Sequence, residues 1–160
     1  MYKRQFTELQ EALRDNCPEE LFTVLMRRLM VKIANRICAA NDYGAIITGE
    51  SVAQVASQTL PAIFCTNAAA EYPVFRPVIG MDKREIVDVA RHIDTFEVST
   101  LPYEDCCTVF SPKHPKTRPS LEEILAAEAS FDFEPLIEKA VRETEVKQFK
   151  YGVRNVDLDM

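Results

Sequence analysis

The stretch Ala45–Leu60 constrains the fold more than any other part of the sequence. It opens with the short apolar run Ala45–Ile47, which is typical of a strand buried on both faces. The run breaks at Gly49, and Ser51 with Gln54 three residues later is the reciprocal capping pattern that predicts a helix from Ser51. A strand that turns through a glycine into a helix start can hold a ligand, because the first helical N–H groups are free and the ligand can approach the backbone. An ordinary strand–loop–helix connection is the alternative.

Composition predicts one soluble globular domain of 160 residues, of which 47% are hydrophobic. No apolar run is long enough to span a membrane, and the N-terminal residues do not have the pattern of a secretory signal. The net charge of −6 argues against a broad nucleic-acid-binding face, although local basic patches remain available. Five cysteines, two of them adjacent, do not fit a disulfide framework and favour a reducing cytoplasm with one thiol used chemically.

Apolar periodicity and capping residues predict several helices separated by short strands. The clearest helix covers Leu21–Ala40, and the others are predicted at Phe6–Arg14, from Asp82, from Ser120 to about Ala129, and at about Leu136–Thr144. Val74–Ile79 reads as a strand that Pro77 shortens, Pro61–Tyr72 as irregular, and Phe96–Leu101 as a connector, with Asp94 in the left-handed position that ends a helix. Alternating helices and strands predict an α/β fold with a parallel sheet of about three strands.

Basic and polar residues occupy the other faces of the long helix. They are Arg27, Arg28, Lys32, Asn35 and Arg36. Such a run is usually a solvated face, and the alternative is that one of these residues, near the strand ends, contacts a phosphate.

Cys106 and Cys107 form the second candidate site, at the start of a proline-rich loop. Adjacent cysteines rarely bridge each other, because their Cα atoms lie only about 3.8 Å apart. A cation from Lys113 or His114 would lower the pKa of a thiol there and make it nucleophilic; burial as small apolar residues is the alternative. Metal-ligand spacing is missing, so Cys17, Cys38 and Cys65 are interpreted as packing residues and no metal site is predicted.

Four motifs, taken in order, resemble one family. They are Thr48–Ser51, Gln54–Leu60, Arg76–Ile79 with Asp82-Lys83, and Pro102–Cys107. In residue type, order and spacing they are similar to the tRNA 4-thiouridine synthases, which are tRNA sulfurtransferases also tied to thiamine thiazole synthesis. The resemblance runs from about Phe6 to Pro119, and more loosely through Ile137.

The resemblance implies an ATP-pyrophosphatase domain of the adenine nucleotide alpha-hydrolase-like type, a parallel sheet flanked by helices. It implies that ATP, with Mg, adenylates the C4 oxygen of a tRNA uridine, after which a protein persulfide loaded by a cysteine desulfurase delivers sulfur and AMP leaves. Arg27, Gly49 and Gln58 fall at nucleotide-contacting positions. The sulfur-handling residue falls at Cys107, with Cys106 as the second choice.

The family's Ser-Gly-Gly-x-Asp-Ser pyrophosphate loop, its strand, the upstream RNA-binding module and a C-terminal rhodanese domain are not found in this sequence. We therefore expect residues 1–119 to be the C-terminal part of the ATP-pyrophosphatase domain and 120–160 a helical extension of it. Alone, the chain is expected to be inactive and to need the N-terminal half of the domain as a partner.

The alternatives are a non-catalytic binding module or persulfide acceptor completed by a partner chain, and another ATP-pyrophosphatase such as an amidotransferase or NAD synthetase. An open sheet edge predicts a homodimer or aggregation. Lys113, Lys116 and Arg118 are the candidate contacts to tRNA phosphates.

Overall fold

One long helix organises the structure, a computed structural model that describes residues 2–3, 6–102 and 112–146. This helix, α2 (Phe22–Asn41), follows a short 3-10 helix (Glu19–Leu21) and ends where Asp42 takes a left-handed conformation with φ of 56°. Most of the apolar residues that recur along this helix are buried, which explains why periodicity predicted the helix to within one residue at each end.

Four helices pack against α2 and enclose the core. They are α1 (Thr7–Asn16), α3 (Leu60–Asn67), α6 (Leu121–Glu128) and α7 (Glu134–Arg142). The fully buried side chains include Leu13, Leu25, Leu29, Ile124 and Ile137. Ser120 caps α6 as predicted, whereas α7 starts two residues earlier than predicted because Pro135 fits the first helical turn. Cys38 and Cys65 are buried packing residues, and Cys17 is half-buried.

The strands are short, and they pair in two places within the described ranges. β2 (Ile46–Ile47) runs parallel to β3 (Val74–Phe75), with Ile46 opposite Val74 and Ile47 opposite Phe75. β1 (Tyr2–Lys3) runs antiparallel to β4 (Glu145–Val146). β3 stops before Pro77, as predicted for a residue that cannot donate to a ladder. Burial of the Ala45–Ile47 strand on both faces was wrong, because Ile46 is buried but Ile47 is exposed.

The predicted helix from Ser51 was also wrong. A loop follows β2, then a 3-10 helix (Ala56–Gln58), and α3 begins only at Leu60 and runs to Asn67, through a segment predicted to be irregular. The physical reason is that Ala53, two residues after Ser51, adopts a left-handed conformation with φ of 66°, which interrupts a helix. The Ser51 hydroxyl donates to the Met81 carbonyl at 2.6 Å. Thr59 is the actual cap, accepting from the backbone N–H of Ala62.

Beyond β3 the chain forms α4 (Lys83–His92) and the single-turn helix α5 (Phe96–Ser99), where only a connector was predicted. The predicted cap is present in both directions: Asp82 accepts from the backbone of Glu85, and the Glu85 carboxylate accepts from the backbone N–H of Asp82. Asp94 has φ of 57°, as expected for a left-handed helix end. Among the described helices, none combines the length and the hydropathy that crossing a bilayer requires.

Candidate functional site

A cleft of about 610 Å³ opens beyond the carboxyl ends of the two parallel strands. Thr48 follows β2 and Arg76 follows β3, and α2 and the 3-10 helix before α3 complete the walls. The apolar lining comes from Met26, Met30, Val31, Val55, Ala70, Val74, Pro112 and Pro115. The size is that of a small-molecule site, and the carboxyl edge of a parallel sheet is where α/β folds bind ligands.

A buried carboxylate organises the polar wall of the cleft. Glu50 is 3% exposed, and its Oε1 accepts from Arg27 Nη2 at 2.6 Å. Its Oε2 accepts from Arg76 Nε at 2.6 Å and from the Thr48 hydroxyl at 2.9 Å. Burial alone would raise the pKa of Glu50, but the hydrogen bond from Arg76, the charge of Arg27 and the Thr48 hydroxyl outweigh burial and lower it. Glu50 is therefore ionised at neutral pH, between two arginines.

The basic and polar face of α2 is not a simple solvated surface, so that interpretation was wrong for Arg27, Arg28 and Asn35, the last of which is 1% exposed. Arg27 lines the cleft and also donates from Nη1 to the Ser57 hydroxyl at 3.3 Å. Arg28 is buried and pairs with Glu128 at 2.6 Å. The arginines are drawn inward because a carboxylate on another element faces each of them.

Gln58 lies in the cleft wall with a defined amide orientation. Its Oε1 accepts from the backbone N–H of Ser51 at 3.1 Å, so its NH₂ group is the end available to donate. Gly49 lies between Thr48 and Glu50, which both line the cleft, and a Cβ built on Gly49 would meet no atom within 4 Å. The structure thus brings Arg27 and Gln58 together in one cleft and places Gly49 beside it. Whether they contact a nucleotide stays a prediction.

Cys106 and Cys107 lie outside the described residues. The segment that follows them is anchored at the cleft, since Pro112 and Pro115 line it. The Lys116 N–H donates to the Glu20 carbonyl at 2.9 Å, and the Thr59 hydroxyl donates to the Thr117 carbonyl at 2.6 Å. The Lys116 ammonium pairs with Glu123 and Glu20.

Sequence reasoning did not single out Glu50, Arg76, Thr48 or Ser57 as site residues. An acidic residue three positions after a strand end was the available signal for Glu50. Arg76 likewise comes directly after a strand. In the described part of the chain, His, Cys, Asp and Glu side chains do not gather in threes to hold a metal ion.

Comparison with known proteins adds independent evidence. The family model described as "Thiamine biosynthesis protein (ThiI)" matches residues 1–133. A "Probable tRNA sulfurtransferase" of Acetivibrio thermocellus is 55% identical over 141 residues, covering 88% of this chain and 36% of that protein. One of Caldanaerobacter subterraneus is 53% identical over 133 residues, covering 83% of this chain and 35% of that protein.

A solved structure described as a 4-thiouridine synthetase–RNA complex with bound ATP matches with a TM-score of 0.85 and 35% identity. The match covers 91% of this chain and 38% of the solved one. The α/β fold class is therefore confirmed, as part of a larger domain. The chain spans little more than a third of the length of the curated relatives it matches. A family model that matches most of the sequence, together with relatives above 50% identity, shows that the chain belongs to the ThiI family.

Proposed function

We propose that this chain is the C-terminal part of the ATP-pyrophosphatase domain of a cytoplasmic tRNA sulfurtransferase that makes 4-thiouridine, with the family's link to thiamine thiazole synthesis. The observation that carries the proposal is that Arg27 and Gln58 line one cleft at the carboxyl edge of the parallel strands, with Gly49 between two lining residues, Thr48 and Glu50. The relatives named as sulfurtransferases and the solved relative with ATP and RNA support it.

The residues of the cleft fit an adenine nucleotide. Met26, Met30, Val55 and Val74 offer an apolar surface to a base. The Arg27 guanidinium and the Gln58 NH₂ group are donors for phosphate or sugar oxygens. When bound, ATP supplies the adenylyl group that makes the uridine C4 oxygen a leaving group.

Mg²⁺ is assigned to the phosphates rather than to this wall. Among the described lining residues, Glu50 is the only carboxylate, and both of its oxygens already accept from arginines. The wall therefore contributes cations and donors to the nucleotide, and its described residues offer a hard cation no carboxylate that is free of arginine partners.

Sulfur delivery is assigned to Cys107, with Cys106 as the second choice, loaded as a persulfide by a cysteine desulfurase. The first described residue after the two cysteines supports this role, since Pro112 lines the cleft. Lys113 and Arg118 are exposed and are proposed to contact tRNA phosphates.

Complementation tests the proposal. The chain is coexpressed with the N-terminal part of the Acetivibrio thermocellus relative, up to the matched region, in cells that lack tRNA thiolation, and 4-thiouridine is measured in purified tRNA. We expect thiolation to be restored, to be lost with Cys107→Ser, and to persist with the half-buried Cys17→Ser as the matched thiol control. A folded pair of chains that yields no 4-thiouridine would instead favour a non-catalytic module or persulfide acceptor.

A further inference from the structure

We propose that Glu50 is a positioning residue that fixes the Arg27 guanidinium toward the ligand, with Arg76 as the anchor that holds Glu50 itself. This rests on the proposed nucleotide role of the cleft. It assigns distinct tasks to three residues of the polar wall and adds Glu50 and Arg76 to the residues that the resemblance implies.

The geometry separates the two oxygens of the carboxylate. Oε1 takes its bond from Arg27 on α2, and Oε2 takes its bonds from Arg76, directly after β3, and from Thr48, directly after β2. Three elements of the chain therefore meet at one side chain. A single carboxylate that joins a helix to two neighbouring strand ends sets where the arginine on the helix can point.

The two arginines differ in how much of the guanidinium is already used. Arg76 donates from Nε to Glu50, from Nη2 to Asn67 Oδ1 at 3.2 Å and from Nη1 to the Val74 carbonyl at 3.5 Å. Arg27 donates only from its terminal nitrogens, to Glu50 and Ser57, and its side chain is 21% exposed against 15% for Arg76. Of the five guanidinium N–H groups, these bonds leave three to Arg27, including the Nε–H, and two to Arg76. Arg27 is therefore the arginine with more capacity to donate to a ligand, and Arg76 is the one held more fully by the protein.

The cluster has two cations and one anion, so its net charge is one positive. Removing the Glu50 charge has two opposite consequences for an anionic ligand. The local positive charge rises, which strengthens attraction to a polyphosphate. The Arg27 side chain loses its orientation, which weakens a specific contact. Positioning predicts weaker binding, and a simple charge effect predicts tighter binding, so the sign of the change separates them.

The test measures ATP binding by isothermal titration calorimetry to this chain copurified with the N-terminal part used for complementation, with Glu50→Gln as the variant. We expect the dissociation constant to rise about 10- to 100-fold, as is typical when an orienting partner is removed. Glu128→Gln is the matched control, because Glu128 is also largely buried and also pairs with two cations, Arg28 and Lys32, away from the cleft. It should leave ATP affinity unchanged. Thermal unfolding of each variant reports the folded fraction.

A double variant tests whether Glu50 affects ATP binding through Arg27. In Arg27→Ala, adding Glu50→Gln should cause no further loss of affinity, since Glu50 acts through Arg27. If Glu50→Gln does not fold, Glu50→Asp keeps the charge but is one methylene too short to reach both arginines, and an intermediate loss is expected.

The outcomes distinguish the inference from the proposed function. Unchanged or tighter ATP binding by Glu50→Gln overturns the positioning role while leaving the nucleotide role of the cleft intact. An equal loss in Glu128→Gln, or a further loss in the Arg27→Ala background, overturns it as well. A wild-type complex that shows no saturable ATP binding contradicts the proposed function of this part, and the inference is then wrong with it.

Discussion

Arg28 is the residue whose removal should damage the fold most directly. It is 3% exposed, and it donates to Glu128 at 2.6 Å and to the Cys65 carbonyl at 2.5 Å, so it links α2 to α6 and α3. Arg28→Met removes one of the two cations that pair with a largely buried carboxylate. We expect the free energy of unfolding in urea to fall by about 3–5 kcal/mol.

Arg36→Met is the control for this prediction. Arg36 pairs with Glu134 at 2.7 Å, close to the 2.6 Å of the Arg28–Glu128 pair, but both of its side chains are about half exposed. An exposed pair contributes about 0–1 kcal/mol. Equal losses in the two variants would show that burial of the Arg28 pair adds nothing to its contribution.

Acid should weaken the fold through two carboxylates. Burial alone would raise the pKa values of Glu50 and Glu128, but hydrogen bonds and charges from Arg76, Arg27, Arg28 and Lys32 outweigh it and lower both. A lowered folded pKa contributes stability that is full above the ordinary glutamate value of 4.5 and is lost as the pH falls through the folded value.

The measurement is the free energy of unfolding at several pH values from neutral to about 3. We expect a decline that begins below the ordinary glutamate pKa, and a shallower decline in Glu128→Gln, which has no proton to take up there. A wild-type stability that rises on acidification would contradict the sign of both shifts.

For single residues, the sequence indicated candidate site residues more readily than the residues with which they form hydrogen bonds. The family resemblance named Arg27 and Gln58, and both line the cleft, while their contact with a nucleotide stays a prediction. Glu50 and Arg76 were not singled out, because their pairing joins residues 26 positions apart and exists only once β2 and β3 are adjacent. Likewise, nothing in the pattern of α2 separates Arg28, which is buried, from Arg36, which is exposed.

Among the elements, α4 depends on its own cap to an unusual degree. None of its residues is buried, so tertiary packing contributes little to holding it. Asp82→Ala removes the acceptor for the N–H groups of Arg84 and Glu85 and should cost about 1 kcal/mol. We expect faster hydrogen exchange along α4 with little change in the global unfolding midpoint.

Asp88→Ala provides the comparison, because it removes an acidic residue from the middle of the same helix, where its contact to Arg91 is 3.7 Å and exposed. Exchange in α4 should barely respond to it. Protection in α4 that is insensitive to Asp82→Ala would mean that packing, not the cap, holds the helix.

The elements that sequence predicted best are those governed by local rules. Periodicity gave α2, and the reciprocal cap gave α4. The same capping rule failed at Ser51, because Ala53, two residues later, is in the left-handed region with φ of 66° and the chain cannot continue as a helix. The limits of β2 and β3 were beyond local reasoning, since two-residue strands are defined by their neighbour rather than by their own sequence.

For the molecule as a whole, the uncovered face of the parallel pair should drive self-association. Ile47 and Phe75 are register partners, and they are 72% and 58% exposed. Burying such a face against a second copy is favourable. We expect the apparent mass from light scattering to rise with protein concentration, and the rise to be reduced by Ile47→Thr with Phe75→Thr.

Val98→Thr is a suitable control, because Val98 is 70% exposed on α5 and not on the sheet face. A chain that scatters as a monomer at every concentration would argue that the face is not adhesive. Association that is unaffected by the two sheet substitutions would place the contact elsewhere.

The pairing of β1 with β4 has a kinetic consequence. Tyr2 lies opposite Val146, so this contact closes a loop that contains nearly all of the described chain. Closing a long loop costs conformational entropy. Two paired strands of two residues each form too few hydrogen bonds to offset that cost before the helices between them are packed. We expect the β1–β4 pair to form last during refolding and to open first in native fluctuations. Pulse-labelled amides at residues 145 and 146 should therefore gain protection after those of α2.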